Sequence, residues 1–425
     1  MILKIHKEYG YIFAILWVVL FAFQELLADI SPVFSYIDEA PLLLFVLYSL
    51  MHILTEKKLG VNKEKYKYVI VFTLFIISGL VGNVLYHYQP LKLVIIDLMT
   101  NLKFYGAICY FSIWIGESKL KDKYIPEIAK IISCLLTVLF LVDRIKNIFP
   151  AEYRYGIKSA VLFYGHPTYL AGICAFLIAV LTLYNPKRYK LYIGLDLVML
   201  IFTLRSKAIV CALVYVMLYF IIKILHCKLK VWQIVVFAVI GVACAWSQIY
   251  FYFIKLGGKS ARSIMLLTSL RIMKDYFPFG TGFATFASHS ASAQVSYSPV
   301  YMKYGFDSIW ELRNSTVGTF FDDQFWPIII GQTGIIGTIS YILILIFLLK
   351  KIQEIYKISL NAYMSCLFIF VYLMVSSIAE PAFNNSVAVP FALVLSIAFL
   401  QLKQKGEKSK KKRIESKLLE NNECA

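Results

Sequence analysis

Long apolar runs, repeated from one end of the sequence to the other, constrain the fold more than any other feature. A segment that crosses a lipid bilayer must satisfy its own backbone hydrogen bonds, so only helices or closed barrels can do so. About 20 helical residues span the hydrocarbon core, whereas barrel strands are about 10 residues long and alternate in polarity. Because 60% of the 425 residues are apolar and 16% are charged, the runs predict an all-α polytopic membrane protein.

The positions of the runs predict about twelve transmembrane helices, with one large loop, 255–325, before the last three. The fourth run is interrupted by Asp97, Asn101 and Lys103, and the seventh is short enough to form a hairpin with the eighth. The predicted spans are 10–28, 37–54, 67–86, 92–115, 125–143, 167–185, 190–204, 208–225, 231–254, 326–349, 361–379 and 386–402.

The distribution of Lys and Arg predicts how these helices are oriented. Short cytoplasmic loops are enriched in Lys and Arg, whereas long loops escape this rule. With the N-terminus inside, the inner segments hold far more of these residues than the short outer loops, and the basic tail 403–425 lies inside. The sequence therefore predicts one multi-pass domain (1–425) in the cell membrane, with both termini cytoplasmic and the loop 255–325 outside.

The net charge of +18 follows from this orientation and does not indicate binding of nucleic acid. Basic residues just inside a last helix contact anionic lipid head groups, and recruitment of a partner protein is the alternative for the tail. The eight cysteines are scattered without a CxxC pair, so we expect neither a disulfide framework nor a zinc site.

Charged residues inside the apolar runs need a reason, because a charge at mid-membrane costs roughly 2.5–3.5 kcal/mol on insertion scales. Asp97 and Asn101 share one face of the fourth helix. That face either lines a polar cavity or forms hydrogen bonds with a neighbouring helix. Asp196, in the seventh run, leaves the same two alternatives.

Two cations, Arg205 and Lys207, occupy a short polar break (RSKA, 205–208) that the orientation places at the outer surface. Two cations in so short a turn, on the side where cations are disfavoured, favour the binding of an anionic head group. Snorkelling of both side chains towards the lipid head groups is the alternative. His166 precedes a proline that suits a first helical turn, and it either lines a cavity or is an interfacial residue.

The loop 255–325 is too long for a simple connection and too rich in aromatic residues for disorder, so a functional role is expected. Residues 262–277 are predicted to form an amphipathic helix in which Arg271 and Asp275 are an i,i+4 pair. Arg262 lies half a turn out of phase with Arg271. Both arginines therefore reach one ligand only if the helix breaks or begins between them.

The rest of the loop supplies candidates for proton transfer. His289 is a candidate general base, since histidine exchanges protons near neutral pH, with a hydrogen-bonding role as the alternative. Asp322 and Asp323 precede the tenth run, where carboxylates either cap a helix or accept a proton. The glycines of PFGTG (278–282) permit positive φ and close approach of the backbone to a ligand.

These features resemble those of the superfamily of O-antigen ligases and Wzy-type polysaccharide polymerases, in particular the capsular and exopolysaccharide polymerases of Gram-positive bacteria. The overall layout is similar over nearly the whole chain, and the specific part is 261–337. The matching stretches are GHPTYLAG (165–172), TLRSKA (203–208), ARSIMLLTSLRIMKDYFPFGTGFATFAS (261–288), YSPVYMKYG (297–305) and DDQFWPIIIGQTGIIG (322–337).

The resemblance implies a membrane glycosyltransferase fold of the GT-C type and a metal-independent, inverting transfer of glycan from undecaprenyl pyrophosphate to the next lipid-linked repeat unit. No cofactor is implied, and a flippase and chain-length regulators are candidate protein partners. Arg205, Arg262 and Arg271 match arginines that hold the pyrophosphate, and Lys207 joins them as a neighbouring cation. His289, Asp322 and Asp323 are the candidate catalytic bases, with His166 and Tyr297 as secondary substrate-binding candidates.

Three other functions are compatible with the same features. The first is an O-antigen-ligase-like transfer of the finished glycan to another acceptor. The second is a flippase or transporter of the lipid-linked unit, although such proteins often contain internal repeats and none is evident. The third is a glycosidase at the outer surface that uses Glu311 with Asp322 or Asp323 as paired carboxylates.

Overall fold

The computed structural model describes residues 2–55, 63–115, 124–229, 260–314 and 320–404, together with Gln233 and Tyr250. The predicted ninth span, 231–254, and nearly all of the basic tail lie outside the described residues. The helices are α1 (Ile2–Ala22), α2 (Gln24–Ile30), α3 (Ala40–Thr55), α4 (Lys63–Tyr86), α5 (Leu91–Trp114), α6 (Tyr124–Lys146), α7 (Pro167–Tyr184), α8 (Lys190–Phe202), α9 (Ser206–Tyr219), α10 (Ala261–Asp275), α11 (Pro299–Lys303), α12 (Phe325–Ile355), α13 (Leu360–Ser376) and α14 (Ala388–Gln404).

The described helices confirm the expectation of an all-α polytopic membrane protein. Six of them are long and apolar enough to cross a membrane, namely α4, α5, α6, α7, α9 with its π-helical extension to Ile224, and α12. A further crossing is possible at α1 and α2, which are bent by 70° where they meet. Helices α3, α13 and α14 are apolar but shorter, and α8 has only 13 residues. The number of about twelve spans therefore stays a prediction.

Three contacts between segments agree with the predicted alternation of helix direction. At one end of the bundle, residues at or next to the predicted inner ends of the spans meet, for example Glu127 and Arg188 in an ion pair of 2.8 Å. Lys223 also donates to Asn361 at that end. The segments that hold Arg205 and His166 meet at the opposite end. The large loop and the segments that hold Arg205 and His166 thus share one end of the molecule, which the sequence predicts to be outside.

The large loop enters the helix bundle through a junction of glycines. Gly282 N donates to Gln332 O (2.8 Å), and α12 is broken at Gly334, where φ is +58°. A Cβ on Gly280 would lie 2.5 Å from Gly334 N, and a Cβ on Gly82 would lie 2.6 Å from Gly282 N. The glycines of the PFGTG stretch therefore approach protein backbone and dock the loop onto α4 and α12, rather than lining a ligand site as the sequence suggested.

Side chains of α4 and α5 hold the next part of the loop. Asn83 accepts from Phe283 N and donates to Phe283 O, both at 2.8 Å. Asp97, which is 2% exposed, accepts from Ala284 N at 2.9 Å. The polar face of the fourth predicted span therefore receives the inserted loop, because its carboxylate satisfies a backbone N–H that no water could reach.

Two other charges within the predicted spans have partners on neighbouring segments. Asp196 accepts from Ser133 Oγ on α6 at 2.8 Å, which is the helix-to-helix hydrogen bond that the sequence left open. Lys103 forms a buried ion pair with Asp38 and a second one of 3.2 Å with Glu39. Asp196 and Lys103 thus both meet groups of complementary polarity, as burial requires.

The outer part of the loop has an aromatic core of its own. Phe286, Tyr301 and Phe306 are fully buried, and their ring centroids lie 5.2–6.1 Å apart. Glu311 accepts from Ala261 N at 3.0 Å and so caps the start of α10. The expectation of an ordered loop therefore holds for its described part, 260–314 and 320–325.

A short antiparallel hairpin, β1 (Tyr153–Arg154) with β2 (Ile157–Lys158), lies between α6 and α7. Its base is closed by Ser159 N, which donates to Glu152 O at 2.9 Å. The next residue, Ala160, donates its N–H to Phe202 O at the end of α8 (2.8 Å). This connection holds the hairpin beside the turn that carries Arg205.

Candidate functional site

Arg205 stands at the tight turn between α8 and α9, where Leu204 has a positive φ of 52°. Its Nη2 donates to His166 Nε2 at 2.9 Å and lies 3.8 Å from Glu152 Oε2. Its buried Nε has no hydrogen-bond partner among the described residues. The guanidinium is therefore held in place by His166 and Glu152, and these contacts use only some of its five N–H donors.

His166 acts as the acceptor for this arginine. A guanidinium has only donors, so Nε2 of His166 must be the unprotonated nitrogen. Burial, together with the neighbouring positive charges of Arg205 and Lys207, lowers the pKa of His166 to about 4. A ring with so low a pKa is neutral near pH 7, so His166 positions Arg205 without adding positive charge.

Lys207, two residues further on, is nearly buried and forms an ion pair with Glu380. Their side chains are 11% and 12% exposed. Glu380 Oε2 also accepts from Asn385 Nδ2 at 3.4 Å. The segment between α13 and α14 therefore forms one wall of the site, and it was not among the sequence candidates.

Arg262, in the first turn of α10, brings the large loop to the same place. Its Nη2 lies 3.4 Å from Asp323 Oδ2. Burial raises the pKa of Asp323, while the positive charges of Arg262 and Lys207 oppose that rise. Burial lowers the pKa of Arg205, and the charge of Arg262 adds to the effect. The two arginines and Lys207 thus lie close enough to act on one another, and we call these three residues the cationic array.

His289 and Asp322 form a pair beside the array. His289 Nδ1 lies 3.4 Å from Asp322 Oδ2, and the histidine side chain is 66% exposed. The hydrogen bond to Asp322 raises the pKa of His289, and its attraction to Asp322 and Asp97 adds to the rise against the opposing effect of burial. Asp322 is next to Asp323 in the chain. His289, the candidate proton acceptor, therefore lies close to the carboxylate that pairs with Arg262.

Two sequence candidates are placed elsewhere. Arg271 is exposed on the face of α10 opposite Arg262, as their half-turn phase difference requires. Its predicted ion pair with Asp275 is absent from the described residues, and Asp275 instead accepts from Tyr304 Oη at 2.7 Å. Tyr297 donates to Leu312 O at 3.1 Å and packs against the aromatic core of the loop, so its contacts are structural.

The structure adds Glu152 and Glu380, which sequence reasoning did not select. Both lie in predicted outer segments, and that position is the only signal the sequence gives. Neither residue is near its cation along the chain, so the pairing becomes visible only in the fold. As for metals, no group of three or more His, Cys, Asp or Glu among the described residues is arranged to hold an ion.

The chain matches no family model and no curated protein. The resemblance to the polymerase and ligase superfamily therefore depends on the quoted stretches alone. Among the described residues, the cationic array and the adjacent pair of His289 with Asp322 hold the charged groups of this site.

Proposed function

We propose that this protein polymerises lipid-linked oligosaccharide repeat units, transferring the growing glycan from undecaprenyl pyrophosphate to a hydroxyl of the next unit. The observation that carries the proposal is the convergence of Arg205, Lys207 and Arg262, from separate parts of the chain, beside a histidine–carboxylate pair. A diphosphate carries several negative charges, and arginine binds phosphate oxygens through two parallel hydrogen bonds.

The chemistry follows from where charge develops. The acceptor oxygen attacks the anomeric carbon, and the bond from that carbon to the diphosphate breaks with its electron pair remaining on the diphosphate oxygen. Fixed cations in a partly desolvated site stabilise that growing negative charge. A single displacement of this kind inverts the anomeric configuration, and the charge stabilisation that it needs can come from side chains, without a metal.

The acceptor hydroxyl must also lose a proton. His289 is the best-placed acceptor, because Asp322 orients its ring and stabilises the protonated form. Its exposure leaves room for a substrate beside it. Asp323 is the second candidate: burial raises its pKa, which favours proton acceptance, while its contact with Arg262 opposes that rise.

The alternatives differ in how well the contacts support them. A ligase would use the same array and differ only in its acceptor. A transporter finds no specific support in the described residues. The glycosidase is disfavoured, because Glu311 is occupied in capping α10 and leaves Asp322 and Asp323 without their proposed partner.

The test is a reconstituted reaction with purified lipid-linked repeat units and without divalent metal, followed by sizing of the product. We expect long polymer from the wild type. The Arg205→Ala variant should polymerise about 10²- to 10³-fold more slowly, which is typical when one donor to a developing negative charge is removed. Normal polymer from Arg205→Ala would contradict the proposal, and a single transfer to a different acceptor would favour the ligase.

A further inference from the structure

A second polar feature lies beside the array, in a cavity of about 300 Å³ between the N-terminal helices and the segment that follows α13. Its wall includes three carboxylates (Glu25, Asp38 and Glu39), one ammonium group (Lys103) and the amide of Asn384. We call it the acidic cavity. Its volume is at the lower end of the range for ligand pockets, about 300–1,000 Å³, which suits a group the size of a single sugar.

The hydrogen bonds inside the cavity are unevenly distributed. Two of the three N–H donors of Lys103 are engaged, since its ammonium group contacts both Asp38 and Glu39. Asp38 also accepts from Gln24 Nε2 at 2.8 Å. Glu39 Oε2 and Asn384 Oδ1, in contrast, are buried and have no hydrogen-bond partner among the described residues. The cavity therefore has spare acceptors, whereas most of the donors of its one ammonium group are already used.

The unpaired oxygen of Asn384 is the strongest sign of a missing ligand. The residue is 8% exposed, and its Nδ2 is fixed by donation to Asn101 Oδ1 at 3.1 Å. Its Oδ1, the atom without a partner, therefore belongs to a side chain that lines the acidic cavity. A buried acceptor without a donor costs about 1–3 kcal/mol, so a group that donates to it there is stabilised.

The spare acceptors define the chemistry of that group. It must be rich in O–H or N–H donors, and three carboxylates against one ammonium group disfavour an anion. The described carboxylates are not arranged to hold a metal ion. A lipid tail is excluded by the polar lining. A neutral or amino sugar satisfies all of these conditions, because its hydroxyl or amino groups donate to carboxylate and amide oxygens.

The acidic cavity and the cationic array share two walls. Asn385 lines the cavity and donates to Glu380, the partner of Lys207. Tyr169 also lines the cavity, and its ring centroid lies 6.2 Å from that of His166. A group bound in the cavity is therefore next to the residues that position Arg205.

We propose that the acidic cavity binds a neutral or amino sugar of the acceptor glycan and so orients its hydroxyl towards a donor diphosphate on the cationic array. This assignment rests on the proposed function. It gives the two substrates separate places according to charge, because the diphosphate is repelled by the cavity and attracted by the array.

The test measures binding directly, by saturation-transfer NMR on the purified full-length protein. The probes are the methyl glycosides of a hexose, a 2-amino-2-deoxyhexose and a hexuronic acid. We expect transfer to the first two and not to the uronate. Glu39→Gln, which keeps the size of the side chain, and Asn384→Ala should each weaken binding by about 5- to 10-fold, the loss of roughly one hydrogen bond.

Two controls separate the possible failures. Glu127→Gln removes a carboxylate at the other end of the bundle and should leave binding unchanged, as should Arg205→Ala. If Asn384→Ala does not fold, Glu39→Gln decides. Equal binding by wild type and Glu39→Gln, or no transfer to any glycoside, overturns the sugar site. Normal polymer from Arg205→Ala would instead overturn the proposed function and leave the glycoside result standing.

Discussion

The cationic array and the acidic cavity lie next to each other but differ in the hydrogen-bonding groups that they offer to a ligand. In the array, Arg205, Lys207 and Arg262 come from the end of the bundle and the large loop, and each has an acidic counter-ion at its edge. In the cavity, Lys103 is enclosed by carboxylates, and its contacts with Asp38 and Glu39 use two of its three N–H donors. The array therefore offers donors to an anion, whereas the cavity offers acceptors to a neutral or cationic group.

This difference shows why a count of charged residues is a poor guide to a site. Lys103 and Lys207 are both buried lysines with carboxylate partners. Lys207 stands beside two arginines, so an anion is attracted to its surroundings. Lys103 stands among three carboxylates, so the same residue type serves only to reduce the repulsion between Asp38 and Glu39.

The largest effect expected in the array comes from a matched pair of arginine variants. The resemblance selects both Arg262 and Arg271, but the structure brings only Arg262 to the array. Arg262→Ala should lower the rate of chain extension by about 10²- to 10³-fold. Arg271→Ala should stay within about two-fold, as for an exposed residue with a small energetic effect of up to about 0.5 kcal/mol. Initial rates with lipid-linked repeat units measure both.

Neither arginine variant should change glycoside binding in the acidic cavity. Equal losses of rate from both would mean that Arg271 also reaches the diphosphate, so that the array as defined here is incomplete. A loss of glycoside binding in Arg262→Ala would mean that the two regions are not independent.

The sequence predicted the class of fold because hydrophobic periodicity and length carry that information. Charge and position outside also pointed to Arg205 and Lys207, and the resemblance added Arg262 together with Arg271. It could not predict that Lys207 meets Glu380, since nothing in the local pattern connects residues so far apart along the chain. Their functional roles stay predictions until the variants are measured.

The interpretation of the PFGTG glycines as a place where the backbone approaches a ligand was wrong for a related reason. A glycine permits close approach by any group, and the sequence does not say whether that group is a ligand or another backbone. The acidic cavity was missed because Asp38, Lys103 and Asn384 belong to three separate predicted spans or loops. Only packing brings these residues together.

The next largest effect concerns the buried ion pair of Lys207 with Glu380. Glu380→Gln leaves an uncompensated buried cation, which typically destabilises a protein by about 3–5 kcal/mol. The double variant Lys207→Met, Glu380→Gln removes the imbalance and should recover most of the lost thermal stability of the purified protein. The rate of chain extension by the double variant should still be about 10- to 100-fold below that of the wild type, because a hydrogen bond to a charged group contributes about 1.5–3 kcal/mol.

Recovery of both stability and rate in the double variant would show that Lys207 has only a structural role. The array would then consist of the two arginines. Glu127→Gln, at the opposite end, is the matched control for loss of an ion-paired carboxylate and should change neither quantity appreciably, because exposed pairs contribute about 0–1 kcal/mol.

The smallest expected effect is a shift in pH dependence at His289. Asp322 raises the pKa of this histidine above its ordinary value of 6.5, because the carboxylate stabilises the protonated ring. Only the neutral ring can accept the proton of the acceptor hydroxyl, so the rate should rise with pH through that raised pKa. In Asp322→Asn the stabilisation of the protonated form is lost, and the rising limb should move to lower pH.

The pH–rate profile of the reconstituted reaction distinguishes the two candidate bases. His289→Gln should abolish the limb itself while Arg262→Ala lowers the rate at every pH without moving it. A limb that stays in place in both His289→Gln and Asp322→Asn would assign the proton to another group, with Asp323 next. That outcome would also weaken the division between the two regions, because Asp323 would then have to accept a proton while paired with an arginine of the array.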